Sequence, residues 1–277
     1  LAQIASEYLG IDASDVHIKL GDTEISPYSS GAWGSRGIVW AGGATARACK
    51  ELAQRVAKIG SAMLQTTADQ VSVRDGGVFG PQGSVSLADI AKAFYLMPAD
   101  LPGDIDPHGL EVTGGYAPTR LTGVHTGSAH ATVVAVDPGT GGVEILDYVV
   151  AEDAGVLVNP MIVDGQVQGG AAQGIGSALF EEMPFDKQGQ PLASTLADYL
   201  LPGCPEVPSV RILHMKTPSP YTEFGQKGVG EGGAIGPAAA IANAVNDALQ
   251  KLGVEICEIP ITPRRVVEAL FKRQQAA

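Results

Sequence analysis

Lys227-Gly-Val-Gly-Glu-Gly-Gly-Ala-Ile-Gly236 places five glycines within nine residues, and its reading decides the fold. Gly228, Gly230 and Gly233 satisfy the spacing of a dinucleotide fingerprint. That would make the chain a doubly wound α/β protein if a buried strand ran into the first glycine. The residues before it, Tyr221-Thr-Glu-Phe-Gly-Gln-Lys227, form neither an apolar run nor an alternating one, so the βαβ setting is missing. What remains is a loop of unobstructed peptide N–H groups opening into a helix, an arrangement suited to an anionic or oxo ligand. Glu231 is the one carboxylate among these glycines. Its residue type leaves two readings open: an acid with a chemical task, or a first-turn acid that complements the helix dipole.

Working outward, the second half of the chain is the more regular. Ala129 to Val136 and Val143 to Ala151 read as strands joined by the turn Asp137-Pro-Gly-Thr-Gly-Gly142. Met161 to Glu182 is a Gly/Ala-rich helix, Val210 to Met215 a strand, and Pro218 to Gly230 a loop. Ala234 to Leu252 reads as an Ala-rich helix and Ile256 to Ile261 as an extended run. Thr262-Pro263 marks the start of a terminal helix, with Thr as N-cap and Pro in the first turn. Toward the N-terminus, Leu1 to Leu9 is a helix ended by Gly10, and Val16 to Leu20 alternates like a strand. A loop over 21–37 leads to a helix from about Gly43 to Leu64. Val71 to Phe79 is a hairpin turning on Asp75-Gly76, and Ser86 caps a helix over Ile90 to Phe94. Residues 97–120, rich in Pro and Gly, form a long loop and divide the chain into parts 1–120 and 121–277. Strands and helices mix without strict alternation, which predicts an α+β fold with mixed sheets and packed helices.

Composition narrows the function. At 45% apolar and 17% charged residues the chain is globular, and a net charge of −12 argues against nucleic acid or an anionic membrane as its main partner. Cys49, Cys204 and Cys257 are isolated, which points to a reduced, cytoplasmic protein without disulfides or an iron–sulfur cluster of its own. No apolar run of about 18 residues is present, so no transmembrane segment is expected, and no signal peptide is seen. The chain begins at Leu1 inside a helix, which reads as a processed chain or a fragment. The five histidines do not cluster, so a His-based metal site is not expected. A GxSxG nucleophile elbow is also lacking, which leaves a hydrolase without support.

Two further stretches carry chemistry. Val163-Asp-Gly-Gln-Val-Gln-Gly-Gly-Ala-Ala-Gln-Gly-Ile-Gly176 sets Gln166, Gln168 and Gln173 in a small-residue background. Glutamines offer donor and acceptor without a charge to desolvate, and suit the edge of a ring system; the same glycines serve equally for tight helix packing. Ser30-Gly-Ala-Trp-Gly-Ser-Arg-Gly37 can line an anion site with N–H groups and a hydroxyl, or be an ordinary loop. Trp33 within it borders a cavity or belongs to the core.

Taken together, these segments resemble the molybdenum-binding subunit of the xanthine dehydrogenase/aldehyde oxidase/carbon monoxide dehydrogenase family, in its C-terminal part. The resemblance rests on Gly21-Asp-Thr23, Gly34-Ser-Arg36, Gly42-Gly-Ala44, Asp153-Ala-Gly155, Asn159-Pro160, Gly165-Gln166, Ala172-Gln-Gly174, Thr217-Pro-Ser-Pro220 and Lys227-Gly-Val-Gly-Glu-Gly232, in family order along nearly the whole chain. It implies a fold of the molybdenum cofactor-binding domain type and a molybdopterin cofactor, in the cytosine dinucleotide form. Molybdenum would be held by the pterin dithiolene, so that no protein ligand is needed. Glu231 would be the catalytic base, taking the proton of a water-derived hydroxyl that adds to an electron-poor carbon of an aldehyde or N-heteroaromatic substrate. Gly34, Ser35, Arg36, Gly37, Gln166, Gln173, Lys227, Gly228, Val229 and Gly230 would surround the cofactor. Family elements upstream, a glutamine loop and a Phe-Arg-Gly-type loop, are not in this sequence. The resemblance therefore implies a second molybdopterin-binding polypeptide, with a [2Fe-2S] subunit and an FAD subunit to take the electrons. The rivals are a nucleotide-dependent dehydrogenase using Gly228 and Gly230, and an inactive structural or assembly subunit of the same family.

Overall fold

The computed structural model describes residues 1–29, 31–106 and 108–276, so Ser30 and Pro107 of the two expected loops lie outside the described residues. The fold is α+β and separates into two compact units. The first comprises Leu1–Trp33, Gly37–Val124 and Pro220–Gln226; the second comprises Gly34–Arg36, His125–Ser219 and Lys227–Ala277.

In the first unit, α1 (Ala2–Leu9) stops at Gly10, whose left-handed φ of 62° turns its N–H back to the Ser6 carbonyl. Helix α2 (Gly37–Met63) starts six residues before the expected Gly43. Gly42 and Gly43 do not break it, because they serve contact: a Cβ at Gly42 would press on Ile4 and Ile38, and one at Gly43 would enter the Tyr116 ring. Strands β1 (Ser72–Arg74), β2 (Gly77–Gly80) and β3 (Gly83–Ser86) form an antiparallel sheet in that order. The β1–β2 turn has Asp75 at φ 47° and Gly76 at φ 72°, the two left-handed residues that a type I′ hairpin requires. Helix α3 (Leu87–Leu96) is capped by Ser86, whose Oγ accepts from the Asp89 N–H. Val56, Ile59, Val78 and Ile90 bury together as the core of this unit. Val16–Leu20 is not a strand: nothing among the described residues pairs with it, and its residues are largely exposed. Trp33 is 64% exposed, which removes the core reading.

In the second unit, β4 (Gly127–Val136) pairs antiparallel with β5 (Val143–Asp153), and β6 (Val210–Met215) runs parallel to β5, giving a mixed sheet. Between β5 and β6 the chain forms α4 (Pro160–Leu179). Asn159 caps it by accepting from the Ile162 N–H, and Pro160 occupies its first turn. The glycine loop leads into α5 (Gly232–Ile235), only four residues long; Gly236-Pro237 then restarts the chain as α6 (Pro237–Leu249). A continuous helix from Ala234 is thus not formed, because Pro237 offers no N–H to continue α5. Ile256–Ile261 is irregular rather than extended in a sheet, with Ile256 held by Asn246 instead. The last helix, α7 (Pro263–Ala276), begins where Thr262 Oγ1 accepts from Arg265 N–H. Tyr148 and Val150 of β5, Val163, Val167, Ala171 and Ile175 of α4, and Ile241, Val245 and Leu249 of α6 form the core. Each such aliphatic side chain contributes about 1.5–3 kcal/mol on burial. Among the described residues no helix is long and apolar enough to cross a membrane.

Helix α4 uses glycine in two opposite ways. Gly170 and Gly174 face α5 and Pro237; a Cβ on Gly170 would come within 2.8 Å of the Ala234 nitrogen. Gly165 and Gly169, by contrast, have open space where a Cβ would stand. Gly170→Ala is therefore expected to destabilise the fold by about 1–3 kcal/mol through overpacking. Gly169→Ala should instead stabilise it by roughly 0.5–1 kcal/mol through helix propensity. Urea unfolding midpoints of the two variants check both signs.

Candidate functional site

The site is built where two distant segments of the second unit meet. Gly34 (φ 59°) and Ser35 (φ 58°) are consecutive left-handed residues, and a serine there is uncommon without a compensating contact. That contact is Glu231. Ser35 Oγ donates to Glu231 Oε2 at 2.5 Å and accepts from the Glu231 N–H at 2.8 Å, so one hydroxyl holds both ends of the residue. Gly228 makes the approach possible: a Cβ on it would occupy the place of the Ser35 carbonyl oxygen.

The 227–231 segment is fixed from its other side by β5 and the start of β4. Lys227 N–H donates to the Ala154 carbonyl at 3.0 Å, and the Gly228 carbonyl accepts from Thr126 N–H at 2.9 Å. Lys227 Nζ lies 3.3 Å from Asp153 Oδ2, with both side chains mostly buried. Val229 packs against the core. Glu231 stands at the N-cap of α5, yet its side chain makes no capping bond, and a four-residue helix has little macrodipole. The carboxylate is exposed, and Oε1 has no hydrogen bond among the described residues.

Helix α4 adds a polar face. Gln166 Nε2 approaches the Gly230 carbonyl at 3.5 Å. At 100° per residue, Gly165, Gly169, Gln173 and Gln166 fall within one arc of about 100°, opposite the buried Val163, Val167 and Ala171. Gln166 and Gln173 are both exposed on that arc. Among the residues predicted from sequence, the structure brings together Ser35, Gln166, Gly228, Gly230 and Glu231, with Gly34 beside Ser35. Gln173 lies two turns farther along α4. Lys227 and Val229 anchor the loop from behind. Arg36 is half-buried in the second unit, and Gly37 is the first residue of α2 in the first unit. Among the described residues no strand runs into Gly228, since β6 ends at Met215, so the dinucleotide fingerprint has no βαβ unit around it.

Sequence reasoning missed Thr126 and Glu152. Thr126 hydroxyl contacts the Glu152 carboxylate, which is wholly buried beneath Gly232. The period of two in β5 was the available signal, since it sends Tyr148, Val150 and Glu152 to the same, buried face.

A sequence profile of the molybdopterin cofactor-binding domain matches residues 1–208. The chain belongs to the molybdopterin cofactor-binding domain family. It is 39% identical over 97% of its length to the nicotine 6-hydroxylase large subunit of Paenarthrobacter nicotinovorans, and 35% identical over 99% to the carbon monoxide dehydrogenase large chain of Hydrogenophaga pseudoflava. These matches cover 33% and 34% of the two relatives, so the chain spans about a third of their length. Among solved structures, quinoline 2-oxidoreductase from Pseudomonas putida 86 superimposes with a TM-score of 0.91 at 40% identity, over 98% of this chain and 34% of that one. The family resemblance read from the motifs and the α+β fold are both borne out. The residues present fit a flat, hydrogen-bonding cofactor. The arc of α4 offers open backbone at Gly165 and Gly169 with glutamine amides beside it, and the Gly34-Ser35 turn adds peptide groups in left-handed conformation.

Asp153 anchors this arrangement and reports on it. Burial alone would raise its carboxyl, but Thr217, the Gly155 N–H and the Lys227 ammonium outweigh that and bring it down to about 2. A depressed carboxyl contributes stability above its unfolded value, near 3.8, and loses it as pH falls from about 4 to about 2. Asp153→Asn should remove about 2 kcal/mol of stability at neutral pH and flatten the acid limb over that window, as read by unfolding at stepped pH.

Proposed function

We propose that this chain is the part of a molybdenum hydroxylase that carries its catalytic base, Glu231, and one wall of its cofactor site. The observation that carries the reading is the Ser35 clamp, which fixes the backbone and one carboxylate oxygen of Glu231 while leaving Oε1 unengaged. A general base needs that combination: a fixed position and one oxygen free to receive a proton. When bound, the molybdenum cofactor would supply the two-electron acceptor. Glu231 Oε1 would be the proton-accepting atom, and Ser35 keeps the carboxylate from rotating away. Gln166, Gln173 and the peptide groups of Gly34–Gly37 and Lys227–Gly230 bind and orient the cofactor, in its cytosine dinucleotide form. Both parts, 1–120 and 121–277, contribute to the molybdopterin-binding region.

The substrate class is an aldehyde or, in keeping with the relatives named for nicotine and quinoline, an N-heteroaromatic ring. Because Glu231 is exposed on this chain, water is excluded by another surface, which we assign to a second molybdopterin-binding polypeptide. Electrons leave through [2Fe-2S] and FAD subunits, and the complex works in the cytoplasm. Glu231→Gln in the assembled enzyme should lower kcat by about 10²–10⁴-fold, the range supplied by a positioned base. Molybdenum content and pterin nucleotide should match the parent. Turnover close to the parent's would remove Glu231 from the role, and absence of molybdenum and pterin from the parent complex would remove the cofactor assignment.

A further inference from the structure

Beneath the loop that carries Glu231 lies a second acid with no part in the chemistry above. Glu152, one residue before the end of β5, is fully buried. Its Oε1 touches the Thr126 hydroxyl and fills the space that a side chain on Gly232 would need, while Oε2 has no hydrogen-bond partner. No cation is paired with it among the described residues. Lys227 pairs with Asp153, the neighbouring anion on β5. His214, opposite Glu152 in the β5–β6 register, is engaged by Asp164 of α4 at 2.7 Å. His130 of β4 has its Nδ1 at 3.0 Å from the Tyr148 hydroxyl. An ionised Glu152 would be a buried, unpaired charge beside another carboxylate, which is the costly arrangement for a carboxyl group.

The Thr126 hydroxyl limits where the proton can sit. Its hydroxyl carries one hydrogen and has two oxygens within reach, Glu152 Oε1 and the Asp153 carbonyl at 3.0 Å. With the Thr126 hydrogen on the Asp153 carbonyl, the contact with Glu152 must take its hydrogen from the acid. We propose that Glu152 is held as an uncharged carboxylic acid donating to Thr126 Oγ1, and that this pair is the platform fixing the peptide between Glu231 and Gly232. Glu152 is then a positioning residue for the base, and the inference rests on Glu231 being that base. The platform extends on both sides: Thr126 N–H holds the Gly228 carbonyl at 2.9 Å, and Ser128 Oγ donates to the Gly232 carbonyl at 3.4 Å. Burial raising the Glu152 carboxyl agrees with the uncharged form.

The test uses the assembled holoenzyme with Glu152→Ala, Glu152→Gln, Thr126→Val and Thr126→Ser, read by steady-state kinetics, metal and pterin content, and infrared spectroscopy. Glu152→Ala should lower kcat on the order of 10²-fold, the loss expected when a reacting group is displaced by about 1 Å. KM and cofactor content should stay near the parent's. Glu152→Gln, uncharged and of the same shape, should restore most of that loss; Thr126→Val should repeat it and Thr126→Ser should relieve it. The carbonyl stretch of a protonated, deuterium-sensitive carboxyl should be present in the parent near neutral pH, vanish in Glu152→Gln and persist in Glu231→Gln. If Glu152→Ala does not fold, the Thr126 pair and the infrared band decide. Glu152→Gln as slow as Glu152→Ala, Thr126→Val as fast as the parent, or no band assignable to residue 152 would each overturn the proposal. An active Glu231→Gln enzyme would instead remove the base reading, with the infrared result on Glu152 standing apart.

Discussion

One hydroxyl closes this site. Ser35 and Glu231 are separated by 196 positions in the chain, and the serine Oγ serves as donor to the carboxylate and acceptor for the peptide N–H of the same residue. The closure depends on an atom that is missing, since any Cβ on Gly228 would displace the Ser35 carbonyl. A non-glycine residue at positive φ costs on the order of 1–3 kcal/mol and persists only where its surroundings over-determine it. Here both hydrogen bonds and the close fit to Gly228 do so. The glycines of the 227–233 run are thus not interchangeable flexible residues. Gly228 admits Ser35, Gly232 admits Glu152, and Gly233 admits the backbone of α4 at Val167.

The loop is stiff for a second reason. Behind it, Lys227, Asp153 and Thr126 convert the end of β5 and the approach to β4 into a mount. A loop tied by one hydroxyl alone would sample many positions for its carboxylate. The peptides of Lys227 and Gly228 are also bonded at the sheet edge, so the backbone that carries Glu231 is held as well as its carboxylate, which is what precise proton transfer requires. The low Asp153 carboxyl and the raised Glu152 carboxyl follow from the same burial acting on neighbours with different partners: one has an ammonium and backbone donors, the other only a hydroxyl.

Local grammar made much of this legible. The Ser86 cap, the Asp75-Gly76 hairpin, the paired strands β4 and β5 and the Thr262-Pro263 helix start all depend on residues within a few positions of one another. What escaped was long-range. Val16–Leu20 alternates correctly but finds no partner strand among the described residues, and Ile256 is held by Asn246 instead of a strand. Gly42 and Gly43 look like a break and are instead contact points inside α2. In α4 the apolar residues lie nearly all round, so its phase could not be read from pattern. Without the phase, inward Gly170 and Gly174 cannot be told from outward Gly165 and Gly169. The motif segments of the site were legible one by one; their meeting at Ser35 and Glu231, and the acid beneath them, were not.

The phase of α4 then bears on how the cofactor would be gripped. Its buried side is shaped for backbone, because Gly170 and Gly174 let α5 and Pro237 approach to contact distance. On its outer side no described atom lies within 4 Å of where a Cβ on Gly165 or Gly169 would stand. Gly165 and Gly169 leave bare backbone, flanked by the exposed amides of Gln166 and Gln173. Two helical glycines cost roughly 1.5–2 kcal/mol in propensity, and no packing by the described residues at these two positions offsets that. Under the proposed function the offset comes from a planar ligand reaching van der Waals contact with the helix, its polar edge met by glutamines that need no counter-charge. The same surface that looks wasteful in the free chain is the one whose shape a bound cofactor would complete.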